Sequence, residues 1–148
     1  LVRLKSAYVV QCTGFIKNDA GEVTEIHCTH FPDSKSGSEQ SGQYEVKGTI
    51  HWVSVPHAVN AEVRLYDRLF RVENPSAEEG DFKSYINPDS LHIIPNAMVE
   101  PSLLNATMDN RYQFIRKGYF CLDKDSSSNK LVFNRTATLK DTWSKKVQ

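Results

Sequence analysis

Turn signals recur so often along this chain that short strands are its expected elements and helix is scarce. Pro56, Pro75, Pro88, Pro95 and Pro101 interrupt the sequence, and Asn18-Asp19-Ala20-Gly21 marks a reversal near its start. Proline fixes its own backbone torsion, lacks an amide donor and disfavours helix in the residue before it, so each one tends to end a regular element. Val2, Leu4 and Val9 mark a first strand whose polar side holds Arg3 and Lys5, and Val23 to Phe31 returns as a hairpin partner. Further strands are predicted over Thr49–Val53, Ala61–Asp67, Ser90–Ile94, Tyr112–Leu122 and Leu131–Thr138, with one short helical turn at Asp81–Ile86. Short strands with a turn every ~8–12 residues predict an all-β fold of barrels or a sandwich.

The 148 residues suffice for one domain or two small subdomains. No apolar run approaches the ~20 residues a membrane helix requires. Leu1 to Lys5 already alternates like a strand instead of opening a secretory signal. A strand that begins at once, without an initiator Met, reads as a fragment of something larger. The three cysteines, an odd number without repeated spacing, suggest reduced and mostly buried thiols in a cytoplasmic protein. Residues 32–43 are polar with almost nothing to bury, and are expected to form a mobile loop.

The formal net charge is zero, which by itself gives no support to nucleic-acid binding. The distribution is uneven. Residues 1–17 carry Arg3, Lys5 and Lys17 with no acid, and residues 111–117 carry Arg111, Arg116 and Lys117 with no acid. The tail adds Arg135, Lys140, Lys145 and Lys146 against Asp141, while the acids gather in loops at Asp19, Glu22, Asp33, Glu39, Glu78, Glu79 and Asp81. Basic segments lying side by side would form a positive face on a neutral protein. Scattered surface charge gives the same one-dimensional pattern.

Arg111-Tyr112-Gln113-Phe114-Ile115-Arg116-Lys117-Gly118-Tyr119-Phe120 interleaves aromatic rings with an amide and cations. Holding an unstacked RNA base requires a flat apolar surface, an amide for the base edge and cations for phosphate. An ordinary barrel strand with a basic rim has the same composition, and Tyr112, Phe114, Tyr119 and Phe120 are read as core. So are His51 and Trp52. His27-Cys28-Thr29-His30, with Cys12 nearby in sequence, lacks the paired spacing of structural zinc, and a strand points the two histidines to opposite faces. No Gly-rich phosphate loop occurs, and no Ser, Cys or Thr has a recognisable activating partner. Neither a catalytic nor a metal site is expected within the chain.

Four segments in one order carry a resemblance. They are Val46-Lys47-Gly48-Thr49-Ile50-His51-Trp52-Val53-Ser54, Glu62-Val63-Arg64-Leu65-Tyr66-Asp67-Arg68-Leu69-Phe70, Tyr112-Gln113-Phe114-Ile115-Arg116-Lys117-Gly118-Tyr119-Phe120-Cys121 and Val132-Phe133-Asn134-Arg135-Thr136. Together the chain, from Val2 to Trp143, resembles the C-terminal anticodon-binding region of the glutaminyl-tRNA synthetases. The resemblance implies two six-stranded β-barrels with exchanged N-terminal strands, here expected to divide near residues 1–75 and 76–148. It also implies recognition of the anticodon loop of glutamine tRNA, with no membrane or DNA partner, by a cytoplasmic monomer. ATP and magnesium would serve a catalytic domain of the same polypeptide, because the His-Ile-Gly-His and Lys-Met-Ser-Lys-Ser motifs of that family do not occur here. This chain alone would hold no cofactor and catalyse nothing.

The family also implies residue roles. Arg3 and Lys5 match positions that lie against the wobble nucleotide and are both Arg in the family; Lys5 keeps the charge but loses the bidentate fork. Gln113 matches a glutamine that contacts the middle anticodon base, a uracil, whose edge an amide can both donate to and accept from. Arg116 matches the arginine of the same motif, although an ideal strand would place it opposite Gln113 unless a bulge or twist intervenes. Ile115 departs from the usual glutamate, and Thr142 matches a further anticodon-region position. Two neighbouring readings are a barrel domain of an archaeal or eukaryotic glutamyl-tRNA synthetase and a ribosomal-RNA-binding barrel protein. A protein-interaction barrel with no RNA role is a third.

Overall fold

Two tight reversals build the first sheet of the computed structural model, which describes residues 1–140. Strand β1 (Val2–Leu4) turns into β2 (Val9–Lys17), which turns again into β3 (Val23–Phe31). The first reversal is closed by the Ala7 amide donating to Leu4 O at 3.0 Å. The second is closed by the Asn18 amide on Glu22 O and the Glu22 amide on Asn18 Oδ1, both at 2.9 Å. Strand β4 (Thr49–Ile50) joins β1 in parallel, giving the order β3-β2-β1-β4. Only the inner end of this sheet is packed: Val9 and Val10 are buried, while the outer half of β2 and most of β3 face solvent.

Residues 32–43, expected to have almost nothing to bury, are anchored to the first sheet. They make 3-10 turns at Pro32–Ser34 and Glu39–Gln43, and Ser34 is fully buried. Ser34 Oγ accepts from the Val9 amide at 2.8 Å and donates to Phe31 O at 2.6 Å. The Arg3 guanidinium reaches across from β1 and donates to Ser34 O at 2.8 Å and Ser41 O at 2.7 Å. A count of apolar residues misses this order. It comes from charge-assisted hydrogen bonds to backbone carbonyls rather than from buried hydrocarbon.

The second sheet contains β5 (Val59–Tyr66), β6 (Leu91–Val99), β7 (Arg111–Phe114), β8 (Gly118–Leu122) and β9 (Leu131–Ala137) in the order β6-β5-β9-β8-β7. All its ladders are antiparallel except β5 with β9, which run parallel. Its core is Ala61 and Val63 of β5, Val99 of β6, Phe120 of β8, and Leu131 and Phe133 of β9. From β7, Tyr112 and Phe114 meet Phe133 edge-on at 5.9 and 5.3 Å, and Phe114 stacks on Phe120 at 4.2 Å.

The all-β character read from the turn signals holds, and the described residues contain no α-helix. Several details differ. The single strand expected over Tyr112–Leu122 is the β7–β8 hairpin, reversed by the turn at residues 115–117. Pro95 lies inside β6 instead of ending it. The ladder steps from Ala61↔Ala97 to Val63↔Ile94, so Pro95 and Asn96 face Glu62 alone in a bulge on an edge strand, where a missing amide costs no ladder bond. The helical candidate is a 3-10 turn, Phe82–Tyr85, capped by Asp81 Oδ1 accepting from the Lys83 amide at 2.9 Å. Cys12 and Cys28 are exposed and Cys121 is half-buried, so the thiols are less sheltered than their sequence context suggests.

The chain separates into one unit of Leu1–Trp52 and a second beginning at Val53. This boundary precedes β5, which is laddered to β6 and β9. Among the described residues the two sheets have four and five strands, each from its own unit. Every ladder of β1 runs to β2 or β4. The six-strand count and the exchange of N-terminal strands implied by the resemblance are therefore not among these ladders.

A charged cluster lies over the β5–β9 seam. Arg64 Nε donates to Glu62 Oε1 at 2.7 Å, its NH1 donates to Asp125 Oδ2 at 2.9 Å, and Asp123 Oδ2 is 3.6 Å away. Lys130 Nζ approaches Glu62 Oε2 at 2.8 Å. Asn134, level with Arg64 in the parallel register, donates to Asp123. Lys130 first, and then Arg64, hold the Glu62 carboxyl below its ordinary range; the Asp125 amide and then Asn134 do the same for Asp123.

Three consequences are measurable. Gly118 has φ +134°, and a Cβ there would stand 2.5 Å from Ala137 O, a backbone atom of the neighbouring strand. Gly118→Ala is expected to lose about 2 kcal/mol or more in urea unfolding, whereas Gly42→Ala, with open space around it, should change little. Ser34→Ala strands the Val9 amide in a buried site and is expected to cost ~1–3 kcal/mol, and Arg3→Ala should expose residues 35–43 to limited proteolysis. For the seam, both carboxyls have folded pKa values below their unfolded ones, so the folded state binds fewer protons. Their stabilisation is complete above the unfolded values of about 4 and is lost as pH falls through the depressed folded values. Urea midpoints measured from about pH 6 down to about pH 3 should fall, and the fall should be shallower in Glu62→Gln.

Candidate nucleic-acid interface

The β7–β8 hairpin sorts its side chains by face. Tyr112 and Phe114 turn to the core, while Arg111 and Gln113 are exposed. Directly across the ladder from Gln113 stands Tyr119, which is 43% exposed. Facing residues in an antiparallel pair hold their Cβ atoms ~4.5–5.5 Å apart, so an amide and a phenol ring share one outward surface. Tyr119 was expected in the core. It faces out because its neighbours Gly118 and Phe120 are both buried, and strand positions alternate. That alternation is present in the sequence and would have assigned Tyr119 correctly once the hairpin turn was placed.

The chain leaves the ladder after Phe114. The Lys117 amide donates to Phe114 O at 2.8 Å, closing a turn in which Arg116 takes φ 65°. The facing conflict that a continuous strand would create between Gln113 and Arg116 does not arise, because Arg116 sits in the turn and no longer on a strand face. A non-glycine residue in this left-handed region is uncommon. Here it places an exposed arginine at the hairpin tip, with Ile115 half-buried beside it. Arg111 is anchored to its own loop, donating to Met108 O at 2.9 Å and Asn110 O at 3.1 Å.

In the first unit the two predicted cations are not equivalent. Arg3 is half-buried, and its guanidinium is held by the carbonyls of Ser34 and Ser41. Lys5 lies just past β1 in the turn, with an exposed side chain. Its amide donates to Ile50 O at 2.9 Å, and its carbonyl accepts from Trp52 Nε1 at 3.0 Å. Trp52 was read as core but is 42% exposed, and His51 is exposed as well, because β4 ends at Ile50 and leaves both outside the sheet. The indole is thus fixed to the backbone of the residue that carries the exposed ammonium. Thr142 lies outside the described residues.

Each unit therefore displays its own exposed ring: Tyr119 across the ladder from the exposed Gln113, and Trp52 bonded to the backbone of the exposed Lys5. Such groups can stack on a base, bond its edge and pair with phosphate without making or breaking covalent bonds. Among the described residues, no group of three or more His, Cys, Asp or Glu side chains could hold a metal ion, and no helix is long and apolar enough to cross a membrane.

Residues 49–123, half of the chain, match the family described as tRNA synthetases class I (E and Q), anti-codon binding domain. Glutamine–tRNA ligase of Proteus mirabilis is 54% identical over 144 residues, covering 97% of this chain and 25% of that protein. The glutamine–tRNA ligase of Rhodopirellula baltica is 50% identical over 146 residues, and that of Vibrio parahaemolyticus 52% over 145, each covering 97% of this chain. The chain spans about a quarter of the length of these relatives. The matched segment contains Trp52, Gln113, Arg116 and Tyr119, and this chain belongs to the anticodon-binding domain family of the class I tRNA synthetases for E and Q.

Proposed function

We propose that this chain is the anticodon-reading region of a glutamine–tRNA ligase and grips the anticodon loop of glutamine tRNA. The observation that carries the reading is the Gln113–Tyr119 pair, an exposed amide facing an exposed ring inside the segment that matches the family. Gln113 donates to and accepts from the edge of the middle base, a uracil, while Tyr119 supplies a stacking face beside it. Arg116 at the hairpin tip and Lys5 beside Trp52 meet phosphate. Arg3 contributes charge near the wobble nucleotide while bracing the segment beneath it, and Thr142 adds a polar contact.

ATP and magnesium serve a catalytic domain elsewhere in the same polypeptide, and none of the side chains named here takes part in that step. The parent protein acts as a cytoplasmic monomer. The glutamine ligases among its relatives favour this reading over a glutamyl-tRNA synthetase or a ribosomal-RNA-binding barrel.

Aminoacylation by the complete ligase tests the assignment. Gln113→Ala leaves the uracil edge without its partner, an expected cost of roughly 1–3 kcal/mol, or about a 5- to 150-fold loss in kcat/KM for tRNA. The KM values for ATP and glutamine should not move. Transfer RNAs with another middle base should lose their disadvantage in this variant. Tyr119→Ala should weaken all middle bases alike, because stacking is tolerant of base identity. Lys5→Ala should flatten the salt dependence by up to ~0.7 log units per log unit of salt, the share of one phosphate contact. Intact discrimination at the middle base in Gln113→Ala would remove the amide from the reading role.

A further inference from the structure

The β2–β3 ribbon carries two thiols that anticodon reading does not use. Cys12 of β2 and Cys28 of β3 are direct partners in the antiparallel register, and both are exposed and free. Direct partners point to the same face of the ribbon.

The hydrogen bonding around them shows which kind of pair they are. The Leu4 amide bonds Tyr8 O at 2.9 Å, and Val2 is paired with Val10, so the even-numbered residues at the start of β2 address β1. The Val9 amide turns to the other side, where it meets Ser34 Oγ, which in turn bonds Phe31 O of β3. Odd positions of β2 therefore address β3. Continuing the alternation to Cys12, before the register shift that follows it, makes Cys12 and Cys28 a non-hydrogen-bonded pair. Such pairs hold their Cα atoms ~4.5 Å apart with side chains at their closest. A disulfide accepts Cα separations of ~4.4–6.8 Å. The backbone thus sets the two Cα atoms within the span a disulfide accepts without moving either strand, and the Cys12 thiol, which donates to Gly14 O at 3.6 Å, has only to turn about its side-chain torsion to meet Cys28.

We propose that Cys12 and Cys28 form a dithiol site that closes to a cross-strand disulfide by exchange with a small disulfide such as oxidised glutathione. One thiolate attacks a sulfur of the oxidant, forms a mixed disulfide and releases one glutathione thiolate. The facing thiolate then attacks the protein sulfur of that mixed disulfide and releases the second glutathione. Two protein thiols are oxidised, one external disulfide is reduced to two thiols, and the protons pass to the released thiolates. The second step is intramolecular and favoured because the ladder holds the partners together. Closure ties the exposed ribbon at its middle and restrains residues 13–27, which otherwise have little packing to hold them.

The 148-residue protein, equilibrated in glutathione redox buffers, quenched with acid and weighed intact, tests this. The expected product has lost two hydrogens, with peptide mapping joining Cys12 to Cys28 while Cys121 stays free. It should form at oxidant levels about tenfold below those that modify Cys121. Cys12→Ser and Cys28→Ser should each gain one glutathione and never show the two-hydrogen loss, and Cys121→Ser should behave as the parent. Mixed glutathione disulfides accumulating on Cys12 and Cys28 in the parent protein, without an intramolecular bond, would overturn the proposal. So would a link from either residue to Cys121. Both of these outcomes are read from the unsubstituted protein, so they do not depend on any variant folding.

Discussion

The parallel pairing of β5 with β9 holds the second unit together. It joins Ala61 through Arg64 to Leu131 through Asn134, two segments far apart in sequence. Among the described residues, strand β6 joins the sheet through β5 alone, and β8 and then β7 through β9 alone. The residues buried along this seam, Ala61, Val63, Leu131 and Phe133, are also the centre of the core. Their burial contributes ~1.5–3 kcal/mol for each large side chain. The Glu62–Arg64–Lys130 cluster covers the seam from the polar side. The Gln113–Tyr119 face therefore depends on Phe133, which supports Tyr112 and Phe114 from beneath.

The first unit achieves order by other means. Its buried apolar set is small, Ala7, Val9 and Val10, and the polar segment after Phe31 is held by hydrogen bonds to Ser34 and Arg3. A guanidinium offers five donors in a fixed plane, so two can brace carbonyls while the group keeps its charge. Arg3 thus links local structure to surface potential. A lysine at that position would supply the charge but not the planar fork. The opposite holds at Lys5, where the backbone does the structural work through Ile50 O and Trp52 Nε1 and leaves the ammonium exposed.

The two exposed rings bear on how this family domain meets a nucleic acid. Neither Trp52 nor Tyr119 stands out in composition, since aromatic residues in short strands usually belong to the core. Each is turned outward by a local cause: the end of β4 at Ile50 for the indole, and strand alternation after Gly118 for the phenol. The hairpin turn also gives Arg116 its position, in a left-handed conformation that a continuous strand would not provide.

The amino-acid sequence by itself determined the class of fold, the outward amide at Gln113 and the four motifs that reveal the family. Those features are local, set by proline positions, by alternation and by residue identity. It did not determine the hairpin within Tyr112–Leu122, the place of Pro95 inside a strand, the order of residues 32–43 or the facing of Cys12 and Cys28. Each of these depends on a partner distant along the chain: Ala137 behind Gly118, Glu62 opposite a bulge, Arg3 reaching to Ser34 and Ser41, and a register counted from the far side of a ribbon. A one-dimensional pattern records which residues are apolar or charged. Only the tertiary structure decides which distant carbonyl, ring or thiol completes them, because hydrogen bonds and strand registers are satisfied between segments and not within them.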